Sequence, residues 1–99
     1  MLIAIAAVDD NIQAQISLEG GRAPYYLIFK DGELDEVWSN PMRSGGGGAG
    51  IGVASIMVEK GINKLVAGKI GANMAEVLAE GGVEYEEKAD MTVEEYINS

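Results

Sequence analysis

Leu2-Ile3-Ala4-Ile5-Ala6-Ala7-Val8 runs apolar without a break and then meets Asp9-Asp10-Asn11. A short continuous apolar run suits a central strand covered on both faces. The pattern then changes to alternation, with Ile12, Ala14, Ile16 and Leu18 separated by Gln13, Gln15 and Ser17. Period two predicts a short half-buried strand, with a loop as the alternative. Glu19-Gly20-Gly21-Arg22-Ala23-Pro24 breaks that pattern. Tyr25-Tyr26-Leu27-Ile28-Phe29-Lys30 is aromatic and branched, which favours a strand. Asp31-Gly32 is the pair preferred in a two-residue type I′ hairpin turn. Residues 33–40 return as the second arm, with Leu34, Val37 and Trp38 apolar. Asn40-Pro41 ends it, because proline has no N–H to give the ladder.

Beyond a glycine-rich stretch the spacing becomes helical. Ala49, Val53, Ile56, Met57 and Lys60 share one face of a helix over 49–60. Ala54 and Val58 widen the stripe, so the helix is expected to be buried on more than one side. Gly61 suits the C′ position that ends a helix. Residues 64–68 form a short strand. Met74, Val77 and Leu78 mark a second helix, stopped by Gly81-Gly82, and residues 83–87 make the last strand. Thr92-Val93-Glu94-Glu95 is a capping box, with Met91 and Tyr96 at the spacing of a hydrophobic staple. It starts a helix that runs to Ile97. The second half thus holds two crossover units, which make parallel strands. The whole predicts one α/β domain over residues 1–99. Its mixed sheet has an antiparallel hairpin at one side and helices on both faces, a three-layer layout that resembles ribonuclease H-like folds.

Composition narrows the chemistry. Apolar residues at 47% and charged residues at 23% suit one globular core. No apolar run approaches the ~20 residues of a membrane span. The first strand has no basic region before it, so a buried strand is expected there rather than a signal peptide, and a cytoplasmic location with it. A net charge of −9 disfavours nucleic acid, whose phosphates need Lys and Arg, and disfavours an anionic membrane surface. The chain has no Cys and no His. That excludes a disulfide, a thiolate nucleophile, a Ser-His-Asp triad and a Cys/His zinc site within it. No nucleophile–base pair is visible, so an enzyme is not expected.

The glycine-rich loop is the principal candidate site. Met42, Arg43, Ser44, Gly45, Gly46, Gly47 and Gly48 lead into the helix beginning near Ala49. Such a loop is either a flexible connector or an anion site built from free backbone N–H groups and the positive end of a helix dipole. Arg22 and Arg43 lie in loops and suit a multidentate anion. Met42 offers a thioether to a soft metal, or folds onto the core. Gly45, Gly47 and Gly50 satisfy G-x-G-x-x-G only formally, since the preceding strand belongs to a hairpin and no acid follows the next strand. Gly68-Lys69 is not a Walker A loop, because Ile70 follows it. A two-metal nuclease is rejected, because the middle of the first strand carries no carboxylate. Asp9, Asp10 and Glu19 are either a hard-cation set or polar turn residues.

At Gly21-Arg22-Ala23-Pro24-Tyr25-Tyr26 the chain resembles the dinitrogenase iron–molybdenum cofactor biosynthesis (cofactor-binding) family. The resemblance extends through Asp9-Asp10, Asp31-Gly32, Asn40-Pro41, the glycine-rich segment, Gly68-Lys69-Ile70-Gly71-Ala72-Asn73 and Thr92-Val93-Glu94-Glu95. It implies a ribonuclease H-like α/β domain that binds or carries an iron–molybdenum–sulfur cofactor or a related metal–sulfur cluster. Many members have His-Phe-Gly where this chain has Glu19-Gly20-Gly21, so Glu19 takes the imidazole's place. A carboxylate is a poor match for a soft metal–sulfur centre. Three readings remain open: a non-catalytic cluster carrier, a module for another small anion or nucleotide in the same loop, and a protein-interaction domain acting through a partner or homodimer.

Overall fold

The computed structural model describes residues 1–42 and 48–99. Its elements are β1 (Leu2–Ala7), β2 (Tyr25–Lys30), β3 (Glu33–Ser39), α1 (Ala49–Glu59), β4 (Lys64–Ala67), α2 (Ala72–Glu80), β5 (Glu84–Glu87) and α3 (Val93–Ile97). The strands form one sheet in the order β3-β2-β1-β4-β5. β1 pairs antiparallel with β2 and parallel with β4; β2 pairs antiparallel with β3, and β4 parallel with β5. The mixed sheet with a hairpin at one side is therefore as the sequence predicts. Asp31 and Gly32 both take positive φ, 50° and 86°, as a type I′ turn requires.

β1 is central, and its alternate side chains feed two cores. Ala4 and Ala6 face a layer made by α1 and α2, with Val53, Met57, Met74 and Leu78 buried there. Ile5 and Ala7 face the opposite layer, which contains Ile16, Leu27, Phe29 and Val93. Alanine on the helical side leaves room for the long Met57 and Leu78 side chains. Both helices end in Schellman motifs. Ile62 N donates to Met57 O and Gly61 N to Val58 O; Val83 N donates to Leu78 O and Gly82 N to Ala79 O. Gly61 and Gly82 supply the positive φ that the motif needs, 73° and 77°.

Residues 12–18 do not form a strand. The alternation holds from 13 to 16, where Ala14 and Ile16 are buried and Gln13 and Gln15 exposed, and then inverts, with Ser17 buried and Leu18 exposed. Only isolated bridges result, Ala7 with Ile16, Gln15 with Thr92, and Glu19 with Lys69. The segment crosses the outgoing ends of β1 and β4 and bonds in turn to Ala6, Val8, Gly68 and Met91, so no single strand runs alongside it.

α3 holds its capping box, with Thr92 Oγ1 accepting from Glu95 N at 3.1 Å and Glu95 Oε1 accepting from Thr92 N at 2.8 Å. Thr92→Ala is expected to cost about 1 kcal/mol, seen as a lower urea midpoint at unchanged slope. A two-point network also ties α3 to the sheet. Tyr96 Oη donates to Glu86 Oε1 at 2.6 Å, and Lys64 Nζ pairs with the same oxygen at 2.8 Å. Lys64 and then Tyr96 hold the Glu86 carboxyl below its ordinary range.

Candidate functional site

The site is built at the C-terminal edge of β1 and β4. Ser17 N donates to Ala6 O, Gly68 N to Ser17 O and Gly20 N to Lys69 O, each at 2.8 Å. The chain at 17–20 is thus stitched between the outgoing ends of the two strands. It carries Glu19, Gly20, Gly21 and Arg22 onto the start of α1. The approach is backbone to backbone: a Cβ on Gly21 would lie 2.7 Å from Gly50 Cα and 2.9 Å from Gly50 N. Only glycine allows that distance.

Tyr26 and Asn40 fix this lip from beneath. Tyr26 is fully buried, and its hydroxyl donates to Gly20 O. Burial pushes the phenol well above the ordinary tyrosine range, so it stays a donor. Asn40 is 3% exposed. Its Nδ2 donates to Gly21 O at 3.1 Å and Ala23 O at 2.9 Å, while its Oδ1 accepts from Met42 N at 2.8 Å. One carboxamide therefore ties the Gly-Gly-Arg lip to the entrance of the glycine-rich loop. On the other side, Glu87 Oε2 accepts from Ile70 N at 2.9 Å and steadies the turn into α2.

A cleft of about 540 Å³ opens between these parts. Its walls are residues 18–22, 48–51 and 71–74, with Lys69 between them. Two helix N-termini meet there. α1 is capped by Gly48 and α2 by Gly71, neither with a side-chain hydrogen bond, and neither helix has an acid in its first turn. Among the described residues, no side chain caps the first N–H groups of either helix, and both dipoles present their positive ends. Arg22 and Lys69 add cationic side chains, and Glu19 is the one acidic residue in the lining. Lys60, Lys64 and Lys88 lie elsewhere, paired with Glu36 or Glu86. In a chain of net charge −9 the cleft gathers positive charge of several origins.

Of the residues singled out in the sequence, Glu19, Arg22 and Gly48 come together in this lining. Met42 does not. It is half-buried and packs on the core against Gly52, its Cε 3.1 Å from where a Cβ of Gly52 would stand. Arg43, Ser44, Gly45, Gly46 and Gly47 lie outside the described residues. Asp9 and Asp10 form a polar turn, Asp9 Oδ1 accepting from Asp10 N at 2.8 Å. Among the described residues no group of three or more carboxylates is placed to hold a metal ion. Sequence reasoning passed over Lys69, Gly71 and Asn73 as site residues. The signal was a glycine opening a helix whose first turn holds no acid, one lysine downstream of the strand.

The model of the family described as dinitrogenase iron-molybdenum cofactor matches residues 1–99. The chain belongs to the dinitrogenase iron–molybdenum cofactor family. Solved structures share the fold of this family member. The apo orange protein from Desulfovibrio gigas superposes with a TM-score of 0.90 at 21% identity, over 98% of this chain and 83% of that one. A NifB candidate protein from Thermotoga, of the DUF35 family, superposes at 0.82 with 30% identity, over 98% of this chain and 84% of its own. No curated protein sequence matches the chain. Among the described residues, no helix is long and apolar enough to cross a membrane.

Proposed function

We propose that this protein is a non-catalytic carrier that holds an iron–molybdenum–sulfur cofactor, or a related anionic metal–sulfur cluster, in the cleft between the α1 and α2 N-termini. The observation that carries the reading is the convergence of two helix N-termini, neither capped by a side chain among the described residues, with Arg22 and Lys69 in one concavity. Backbone N–H groups and cationic side chains are donors to anionic sulfur and oxygen.

The donor set fits such a cargo and does not fit a bare metal ion. The chain has neither Cys nor His, and its lining offers a single carboxylate. A cluster whose metals bring all their ligands with them can be held through hydrogen bonds and ion pairs to its outer atoms alone. Membership of the family supports the cargo class, and the cleft supports the place. The same donors would accept a small oxyanion or a nucleotide phosphate, the second reading, which the donor chemistry alone favours equally.

Anaerobic incubation with isolated iron–molybdenum cofactor, followed by desalting and metal analysis, tests the proposal. Near-stoichiometric molybdenum and iron are expected on the native protein. Lys69→Gln and Arg22→Gln are each expected to lower retention about threefold to tenfold, the loss of one charge-assisted contact. Equal loss of metal from native and variant proteins would contradict the cleft, and no retained metal would contradict the cargo.

A further inference from the structure

Burial inverts where the chain reaches the cleft. Ser17 is buried and Leu18 is 66% exposed, although continued alternation would put the leucine inside. Leu18 is nevertheless held in place. Gly68 N donates to Ser17 O and Gly20 N to Lys69 O, each at 2.8 Å, so the backbone is tied on both sides of it. A Cβ on Gly68 would lie 2.7 Å from Leu18 Cα and 3.1 Å from its Cδ2, so leucine backbone and side chain both rest on that glycine. Ile51, in the first turn of α1, is 43% exposed. Both residues line the cleft, on two different walls. Among the described residues, neither is a member of either core. A single exposed apolar side chain is ordinary. Two at the mouth of one cavity, one of them pinned by its backbone, contribute to no packing that the fold requires.

We infer that Leu18 and Ile51 are specificity-determining residues, which select anions that present sulfide over oxyanions of the same charge and shape. The inference rests on the reading of the cleft as the cargo site and deepens it. Arg22 and Lys69 in the same lining supply the attraction for an anion. They cannot choose between sulfur and oxygen, because Coulomb energy follows charge and distance alone. The apolar side chains can. An oxyanion concentrates its charge on small, strongly hydrated oxygens, and an apolar wall removes water from them without offering a hydrogen bond in exchange. Sulfide spreads the same charge over larger, polarizable atoms. These lose less on leaving water, and they gain dispersion contact with the methyl groups of leucine and isoleucine. The lining therefore combines cations with apolar contact, and the ligand it matches is anionic and weakly hydrated at once.

Tungstate and tetrathiotungstate provide the test, since both are tetrahedral dianions and differ only in carrying oxygen or sulfur. Their dissociation constants are to be measured by amide-shift titration, anaerobically at pH 8 and at one ionic strength. The proteins are the native chain, Leu18→Asn, Ile51→Thr and, as a control, Leu34→Asn. All three positions are exposed, and Leu34 lies on β3, outside the cleft lining. Native protein is expected to bind tetrathiotungstate more tightly than tungstate. Leu18→Asn and Ile51→Thr are each expected to weaken tetrathiotungstate about threefold to fivefold, the size of uncovering part of one branched side chain. Tungstate should stay within about twofold, because its binding draws little on apolar contact. Leu34→Asn should change neither constant.

Retention of isolated iron–molybdenum cofactor by the native protein is measured in parallel. If the cofactor is retained, three results overturn the selectivity and leave the carrier reading intact: equal or tighter binding of tungstate, binding of neither dianion, and variants that weaken both dianions by one common factor. If the cofactor is not retained, the carrier reading fails, and the selectivity built on it fails with it.

Discussion

Gly21→Val costs about 3 kcal/mol or more of folding stability, roughly 12–24 °C in melting temperature for a domain of this size. The reason is the identity of the atoms in the way. The new Cβ would stand 2.7 Å from Gly50 Cα and 2.9 Å from Gly50 N, both backbone of the first turn of α1. A side chain can rotate aside, but a helix backbone cannot. The lip must therefore lift from α1, breaking the hydrogen bonds from Asn40 to Gly21 O and from Tyr26 to Gly20 O. Gly50→Ala is the informative partner. Its Cβ meets Met74 Cβ at 3.2 Å, an atom that moves only with the α2 backbone. The two helices must part by a few tenths of an ångström, a smaller shift than Gly21→Val demands. The substitution also gains up to about 1 kcal/mol of helix propensity. It is expected to cost far less. Thermal and urea unfolding of the two variants would check this pair. Equal melting temperatures would mean that the lip does not rest on α1.

Asn40→Ala is expected to cost roughly 2–4 kcal/mol and to weaken cargo retention as well. It leaves Gly21 O and Ala23 O without their side-chain donor and Met42 N without its acceptor. Buried polar groups left unpaired carry about 1–3 kcal/mol each, and relaxation recovers part of it. Asn40→Asp separates the donors from the acceptor. It keeps an oxygen for Met42 N but turns a carboxylate toward two carbonyl oxygens. Burial beside those oxygens favours the protonated form, which restores a donor. Its loss of stability is therefore expected to exceed that of Asn40→Ala at neutral pH and to shrink as pH falls. Denaturant midpoints at pH 5 and pH 8 decide the matter. The same midpoint at both would show that the Nδ2 bonds do not govern the site.

The fold was largely legible because each element announces itself locally. The hairpin follows from Asp31-Gly32, the helix stops from Gly61 and Gly82, and α3 from its Thr92–Glu95 box. The alternation at 12–18 misled because period two reports which side chains are buried and is silent about whether a neighbouring backbone runs alongside. Ile16 is buried, yet its N–H goes to Met91 O, from a loop that the local pattern does not place next to it.

The site was half legible. A glycine-rich run before a helix points at the α1 N-terminus, and Arg22 and Glu19 were selected by residue type. The α2 N-terminus was missed because its contribution is tertiary: it reaches the cleft only when β4 lies beside β1. The sequence left Met42 open between a soft-metal ligand and a core side chain. Its packing against Gly52 depends on a glycine ten residues away that leaves space for it.

The central claim is that cargo sits where the two helix N-termini meet. Titrating isotopically labelled protein with isolated iron–molybdenum cofactor, anaerobically, tests it most directly. Amide signals of residues 20–22, 48–51 and 71–74 are expected to shift or broaden first and together, with α3 and β5 unaffected. Perturbation centred on α3 or on the β3 edge, with those three segments unmoved, would contradict the account.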